Sequence, residues 1–156
     1  ALDWLVLSGT VKRCSLVGQI ESPLEAFVNP SSFKIYQADT GLLVSKAGAQ
    51  RADILAGIGG TFMGALTENY VAQQLSAIGY PLHYWARDNR AEIDFVVERQ
   101  GCVSAIEVKA GENTRSRSLS SLKKTHSGVR LIRLSTKPFG MNDGLMSVPL
   151  YAAFCL

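Results

Sequence analysis

Cysteine and histidine are scarce in this sequence. Cys14, Cys102 and Cys155 stand far apart with no Cys-x-x-Cys spacing, and only His83 and His126 could join them. That set is too thin and too scattered for a zinc site or a disulfide framework, so the reduced thiols of a cytoplasmic protein are expected. Long apolar runs are missing as well. The charge-free stretch around the middle, Ile54 to Thr67, is interrupted by Gly57, Gly59, Gly60 and Gly64, too short and too glycine-rich to span a bilayer, and no membrane association is expected. Those glycines make no phosphate loop either, because no Gly-Lys-Ser/Thr follows them and no suitable strand precedes them. No basic segment leading into an apolar core and cleavage site opens the chain, and no internal repeat appears. With Ala rather than Met at position 1, the expectation is a piece of a longer protein. An excess of one charge is the last absence: 16 Lys+Arg against 13 Asp+Glu give a formal +3, a total that by itself marks no nucleic-acid binder.

What is present is enough apolar matter for one ordinary core, with 47% hydrophobic and 19% charged residues in a chain of 156. Residues 2–7 read as the end of a helix and Thr10 to Val17 as a short strand, which could belong to a preceding module. Glu21 to Ser32, with Pro23 and Pro30, reads as loop. The Phe33-Lys34-Ile35-Tyr36 run is assigned a packing role, and Asp39-Thr40-Gly41 reads as a turn. From Thr61 to Ile78 the apolar residues Met63, Leu66, Tyr70, Val71, Leu75 and Ile78 recur at helical spacing, and Gly79 ends the segment. The period then changes to two. His83-Tyr84-Trp85, Ile93 to Glu98 and Cys102 to Lys109 read as strands, with Gln100-Gly101 as the turn between the last two. A short basic helix over Leu119 to Thr125 and strands at Val129 to Leu134 and Ser147 to Tyr151 complete a mixed α/β pattern.

The chemistry-bearing residues lie between Glu68 and Lys109. Side chains alternate across a strand, so Glu107 and Lys109 share one face while Ile106 and Val108 point to the other. A two-residue turn at Gln100-Gly101 sets Asp94 opposite Glu107, with facing Cβ atoms roughly 4.5–5.5 Å apart. A three-residue loop would turn Asp94 to the other face, and a bulge could restore it. Glu92 shares the face of Asp94. Glu68 falls at the border of its helix's apolar stripe, where it could look onto the sheet. Two carboxylates this close repel unless a cation lies between them, and Mg²⁺ suits one or two carboxylates plus substrate phosphate. Such an ion generates hydroxide and neutralises phosphoryl charge, while a lysine on the same face can orient the attacking water.

This order of residues, a helical Glu68, then Asp94, then Glu107-Val108-Lys109, resembles the PD-(D/E)XK nuclease signature and the layout of archaeal Holliday junction resolvases. Ile93 stands where that signature has its proline. Gly64-Ala65-Leu66-Thr67-Glu68-Asn69-Tyr70-Val71, Glu92-Ile93-Asp94-Phe95-Val96, Ala105-Ile106-Glu107-Val108-Lys109, Asp39-Thr40-Gly41-Leu42-Leu43 and Val148-Pro149-Leu150-Tyr151 are similar to the C-terminal domain of unknown function number 4143. That domain follows an AAA-type ATPase module in many prokaryotic proteins. The resemblance implies a restriction endonuclease-like α/β fold, a mixed central sheet flanked by helices, over residues 33–156, with 1–32 as a lead-in. It implies Asp94, Glu107 and Glu68 as Mg²⁺ ligands and Lys109 as their catalytic partner. It also implies ATP only in an N-terminal ATPase module, DNA as partner, and leaves oligomerisation open. A nuclease fold kept without turnover, binding DNA or protein beside the ATPase, is the alternative.

The small net charge hides an uneven distribution. Between Lys109 and Lys137 lie eight basic residues and the single acid Glu112, a local +7 that leaves −4 for the rest. Arg115, Arg117, Lys123 and Lys124 in this stretch are the candidate contacts for a phosphate backbone, against the plainer reading of a solubilising lysine-rich helix. For Glu92 the plainer reading, a solvated or salt-bridged carboxylate, is preferred to a ligand role, and Glu68 taken alone reads as a helix-surface carboxylate that could pair with Arg87 or Arg90. His83-Tyr84-Trp85 is assigned to the core in preference to a base-stacking platform, and His126 to an exposed loop.

Overall fold

The computed structural model describes residues 1–58, 60–87, 91–111 and 117–156, the last stretch without the side chain of Arg117. In chain order the elements are α1 (Leu2–Leu7), β1 (Val11–Val17), a 3-10 turn (Leu24–Phe27), β2 (Val28–Gln37), α2 (Thr40–Ala47), α3 (Arg51–Leu55) and α4 (Gly60–Ala77). They continue as β3 (Leu82–Arg87), β4 (Ala91–Arg99), β5 (Cys102–Val108), α5 (Arg117–Thr125), β6 (Arg130–Ser135), β7 (Gly140–Asn142), β8 (Leu145–Pro149) and a closing 3-10 helix (Leu150–Cys155).

The strands form one mixed sheet in the order β2-β1-β3-β4-β5-β6-β8-β7. Parallel pairing joins β1 to β3, β5 to β6 and β6 to β8, and the other neighbours run antiparallel. Each face carries its own core. On one, Val71 and Leu75 of α4 and Ala153 of the closing helix meet Cys14, Phe95, Ile106 and Leu134. On the other, Leu119 and Leu122 of α5 and Leu24 meet Ile93, Val96, Ala105 and Leu131. β1 lies inside this sheet, with Cys14 and Val17 fully buried, so the segment expected as a lead-in contributes an interior strand, and residue 32 falls within β2.

Two further local readings change. The segment read as loop from Glu21 to Ser32 contains the 3-10 turn and the first half of β2. Pro30 is accommodated there because β2 is an edge strand whose register against β1 jumps between Leu16↔Asn29 and Ser15↔Phe33, so no ladder donor is needed from Pro30. The Asp39-Thr40-Gly41 turn is the start of α2. The Asp39 side chain accepts the Leu42 N–H at 2.8 Å and satisfies one of the donors a helix start leaves open.

At the centre, Gln100 (φ 52°) and Gly101 (φ 75°) both occupy the left-handed region that a tight two-residue hairpin turn needs. The expected register follows, from Arg99↔Cys102 to Phe95↔Ile106. Against β3, however, β4 advances three residues from Val96 to Ile93 while β3 advances two from His83 to Trp85. The extra residue falls at Asp94-Phe95, opposite Tyr84. Ile93 before the bulge packs in one core and Phe95 after it in the other.

Candidate active site

The bulge decides where Asp94 points. Instead of completing the ladder opposite Glu107, Asp94 turns its Oδ2 to the Val108 N–H at 2.7 Å. That amide lies between Glu107 and Lys109, so the carboxylate touches the backbone that carries the other two residues. A bulge re-aiming a side chain beside functional groups is a common use of the irregularity. Glu107 is buried, and its Oε1 accepts from Lys109 Nζ at 2.6 Å, as the alternation along β5 leads one to expect.

Glu68 approaches from α4, and the reason lies one residue further along that helix. Asn69 is buried and clamps the end of β2: Gln37 N–H donates to its Oδ1 at 2.8 Å, and its Nδ2 donates to the Gln37 carbonyl at 3.2 Å. Gln73, one turn on, accepts from the Thr40 N–H and hydroxyl at 3.0 and 2.8 Å. With β2 fixed against α4 in this way, Tyr36 and Lys34, two residues apart and on one face of the strand, meet Glu68. Lys34 Nζ lies 3.0 Å from Glu68 Oε1, the Tyr36 hydroxyl donates to the same oxygen, and Lys34 also pairs with Glu92. Glu92, expected to be solvated or salt-bridged, is both half exposed and paired. Lys34 and Tyr36 are site residues that the packing assignment for 33–36 missed. The signal available was their period-two spacing, but nothing local reveals which helix an edge strand faces.

Electrostatics bind the group together. Burial pushes the Asp94 carboxyl up to about 7; the Val108 N–H counters this, Glu68 adds to it, Lys34 opposes it and Glu107 adds a further push. Burial also works against the Lys34 ammonium, but its pairs with Glu92 and Glu68 outweigh that and hold it above its ordinary value. Tyr36 is raised by burial and by Glu68, and the enclosed Cys14 thiol is pushed to about 12, mainly by burial. Among the described residues, no three His, Cys, Asp or Glu side chains gather closely enough to enclose a metal ion. Half-buried Asp94, held partly protonated near neutrality, and buried Glu107 are still a donor set that suits Mg²⁺, since this ion keeps several of its waters and takes one or two carboxylates.

The basic flank is only partly placed. Lys123 is exposed and tied to Asp143, to its carbonyl and to its Oδ1, both at 2.6 Å. Lys124 is exposed beside it at the end of α5. Arg115 and the side chain of Arg117 lie outside the described residues, as do Arg90 and Glu112. His83 is buried and its Nε2 lies 3.2 Å from Glu25 Oε1, so it belongs to the interior and not to a stacking platform.

Residues 63–153 match the family described as Domain of unknown function (DUF4143). This chain belongs to the DUF4143 family. The matched span takes in α4, Asp94, Glu107 and Lys109, while Lys34 and Tyr36 lie before it. The DUF4143 chain is also similar to Uncharacterized protein Mb2031c of Mycobacterium bovis and Uncharacterized protein Rv2008c of Mycobacterium tuberculosis, each 34% identical over 124 residues. Each match covers 74% of this chain and 27% of the relative, so the chain spans about a quarter of the length of these proteins. No solved structure gives a significant match. No helix of the described residues is long and apolar enough to cross a membrane.

Proposed function

We propose that this DUF4143 domain is a Mg²⁺-dependent nuclease-like module of the PD-(D/E)XK type acting on DNA, within a longer protein that carries an AAA-type ATPase. The observation that carries the reading is the bulge at Asp94, which brings its half-buried carboxylate onto the amide between Glu107 and Lys109. Asp94 and Glu107 would hold the cation, which when bound supplies Lewis-acid activation of water and neutralises phosphoryl charge. Lys109, 30% exposed and anchored on Glu107, is placed to orient a water molecule and to donate toward a phosphate oxygen. Glu68 sets the local field and keeps Lys34 in place. Lys124, with Arg115 and Arg117, would follow the phosphate backbone.

A second reading has its own support. No three-carboxylate enclosure forms among the described residues, and two of the four acids are already paired to Lys34. The same fold kept as an inactive module, binding DNA or protein and regulating an attached ATPase, is compatible with both facts. Supercoiled plasmid and branched DNA incubated with the full-length protein and Mg²⁺ separate the two. Cutting that disappears in Asp94→Ala supports the nuclease; DNA binding without cutting supports the inactive module.

A further inference from the structure

Lys34 stands between two carboxylates. Its ammonium is 3.0 Å from Glu68, pairs with Glu92, and lies 5.1 Å from the centre of the Tyr84 ring, where the ring's negative face adds to the attraction. Asp94 also acts within this field. The Glu68 oxygen it touches is shared with the Tyr36 hydroxyl, so that oxygen already has two donors. Four carboxylates, Glu68, Glu92, Asp94 and Glu107, are touched or influenced by two ammonium groups, Lys34 and Lys109. With all of them ionised the formal sum is −2, the charge of one divalent cation. The charges are also divided in space: Lys109, the residue after β5, pairs with Glu107, and Lys34 serves the Glu68-Glu92 pair from β2.

We propose that Lys34 is a built-in counter-ion, a positioning residue that occupies the Glu68-Glu92 half of the acidic patch and so limits the site to one divalent cation at Asp94 and Glu107. The cation itself rests on the metal-site reading above; the counter-ion role of Lys34 rests on the contacts alone. A cation attempting to enter the Glu68-Glu92 half would have to displace an ammonium held by two carboxylates and an aromatic face. Removing that charge while keeping the carboxylates opens a second place for a hard cation.

Mn²⁺ binding followed by electron paramagnetic resonance, with the full chain and no DNA, counts the ions directly. Wild type is expected to bind one Mn²⁺ and Lys34→Gln two, while Lys34→Arg, which retains the charge, stays at one. The double variant Lys34→Gln with Glu92→Gln is expected to return to one, because Glu92 is half exposed and its removal takes away a ligand without opening the core. Lys34→Met, which keeps an unbranched stem without the charge, repeats the test should glutamine disturb the fold, with folding checked by near-ultraviolet circular dichroism. Two ions on wild type, or one on wild type and still one on both neutral variants, overturns the proposal, as does a second ion that persists in the double variant. No ion on wild type but one on Lys34→Gln sinks the Asp94-Glu107 metal site and leaves the counter-ion role standing. No ion on either removes both.

Discussion

Replacing Asp94 by Asn changes one charge at the point where the site meets the core, and the pH dependence of stability should register it. The Asp94 carboxyl is raised from 3.8 to about 7, chiefly by burial. Because the folded pKa lies above the unfolded one, the native state binds the extra proton between these values. Stability is therefore highest below the unfolded pKa and declines as pH rises through the window, levelling off above about 7. Between about pH 5.5 and about pH 8 the linkage integrates to about 2 kcal/mol lost, at about 1.4 kcal/mol per unit of pH where the proton difference is complete. Asn cannot ionise, yet its amide oxygen can still accept the Val108 N–H. The variant should therefore lack this component while keeping the hydrogen bond. Urea unfolding followed by the fluorescence of Trp4 and Trp85 gives both free energies at each pH. Wild type should lose about 2 kcal/mol more than Asp94→Asn over that interval, whatever the other groups contribute to both. Parallel pH profiles for the two proteins would refute the reasoning, because they would mean that Asp94 is not held protonated by its surroundings.

Three further outcomes follow from the packing and the contacts. Phe95 is fully buried and its ring centre lies 5.5 Å from that of Tyr36, so Phe95→Ala should cost about 3–5 kcal/mol in the same unfolding assay. Tyr36→Phe removes the hydroxyl that donates to Glu68 and should cost about 1.5–3 kcal/mol, with the sheet intact by far-ultraviolet circular dichroism. In fluorescence anisotropy with duplex DNA, Lys124→Ala should lower the salt slope of binding by about 1, whereas Lys123→Ala should change it less, since Lys123 is held by Asp143.

The parts of the fold that could be read from the sequence are those fixed by local chemistry. The Gln100-Gly101 turn set the β4–β5 register because both residues must adopt positive φ in a tight hairpin. The helical spacing from Met63 to Ile78 located α4, and strict alternation placed Lys109 on the side chain of Glu107. What escaped was non-local. Pro23, Pro30 and polar residues made 21–32 look like loop, because a strand that needs no ladder donor at Pro30 has no period that reveals it. The Asp39 cap depends on a side chain reaching the Leu42 amide, so a turn and a helix start have the same local composition. Lys34 and Tyr36 reach the site because Asn69 ties the end of β2 to α4 and Gln73 ties the start of α2 beside it. The bulge at Asp94 depends on how β4 meets β3, and no property of β4 alone states it.

The central claim is that Asp94, Glu107 and Lys109 form a cation-dependent phosphodiester-cleaving group, and its most direct test is the rate at which the full-length protein nicks supercoiled DNA. The account predicts nicking with Mg²⁺, none with EDTA, and loss by at least about a hundredfold in Asp94→Asn and in Lys109→Met, the scale expected when a group acting in the transition state is removed. Nicking that is absent from wild type, or undiminished in either variant, would contradict it.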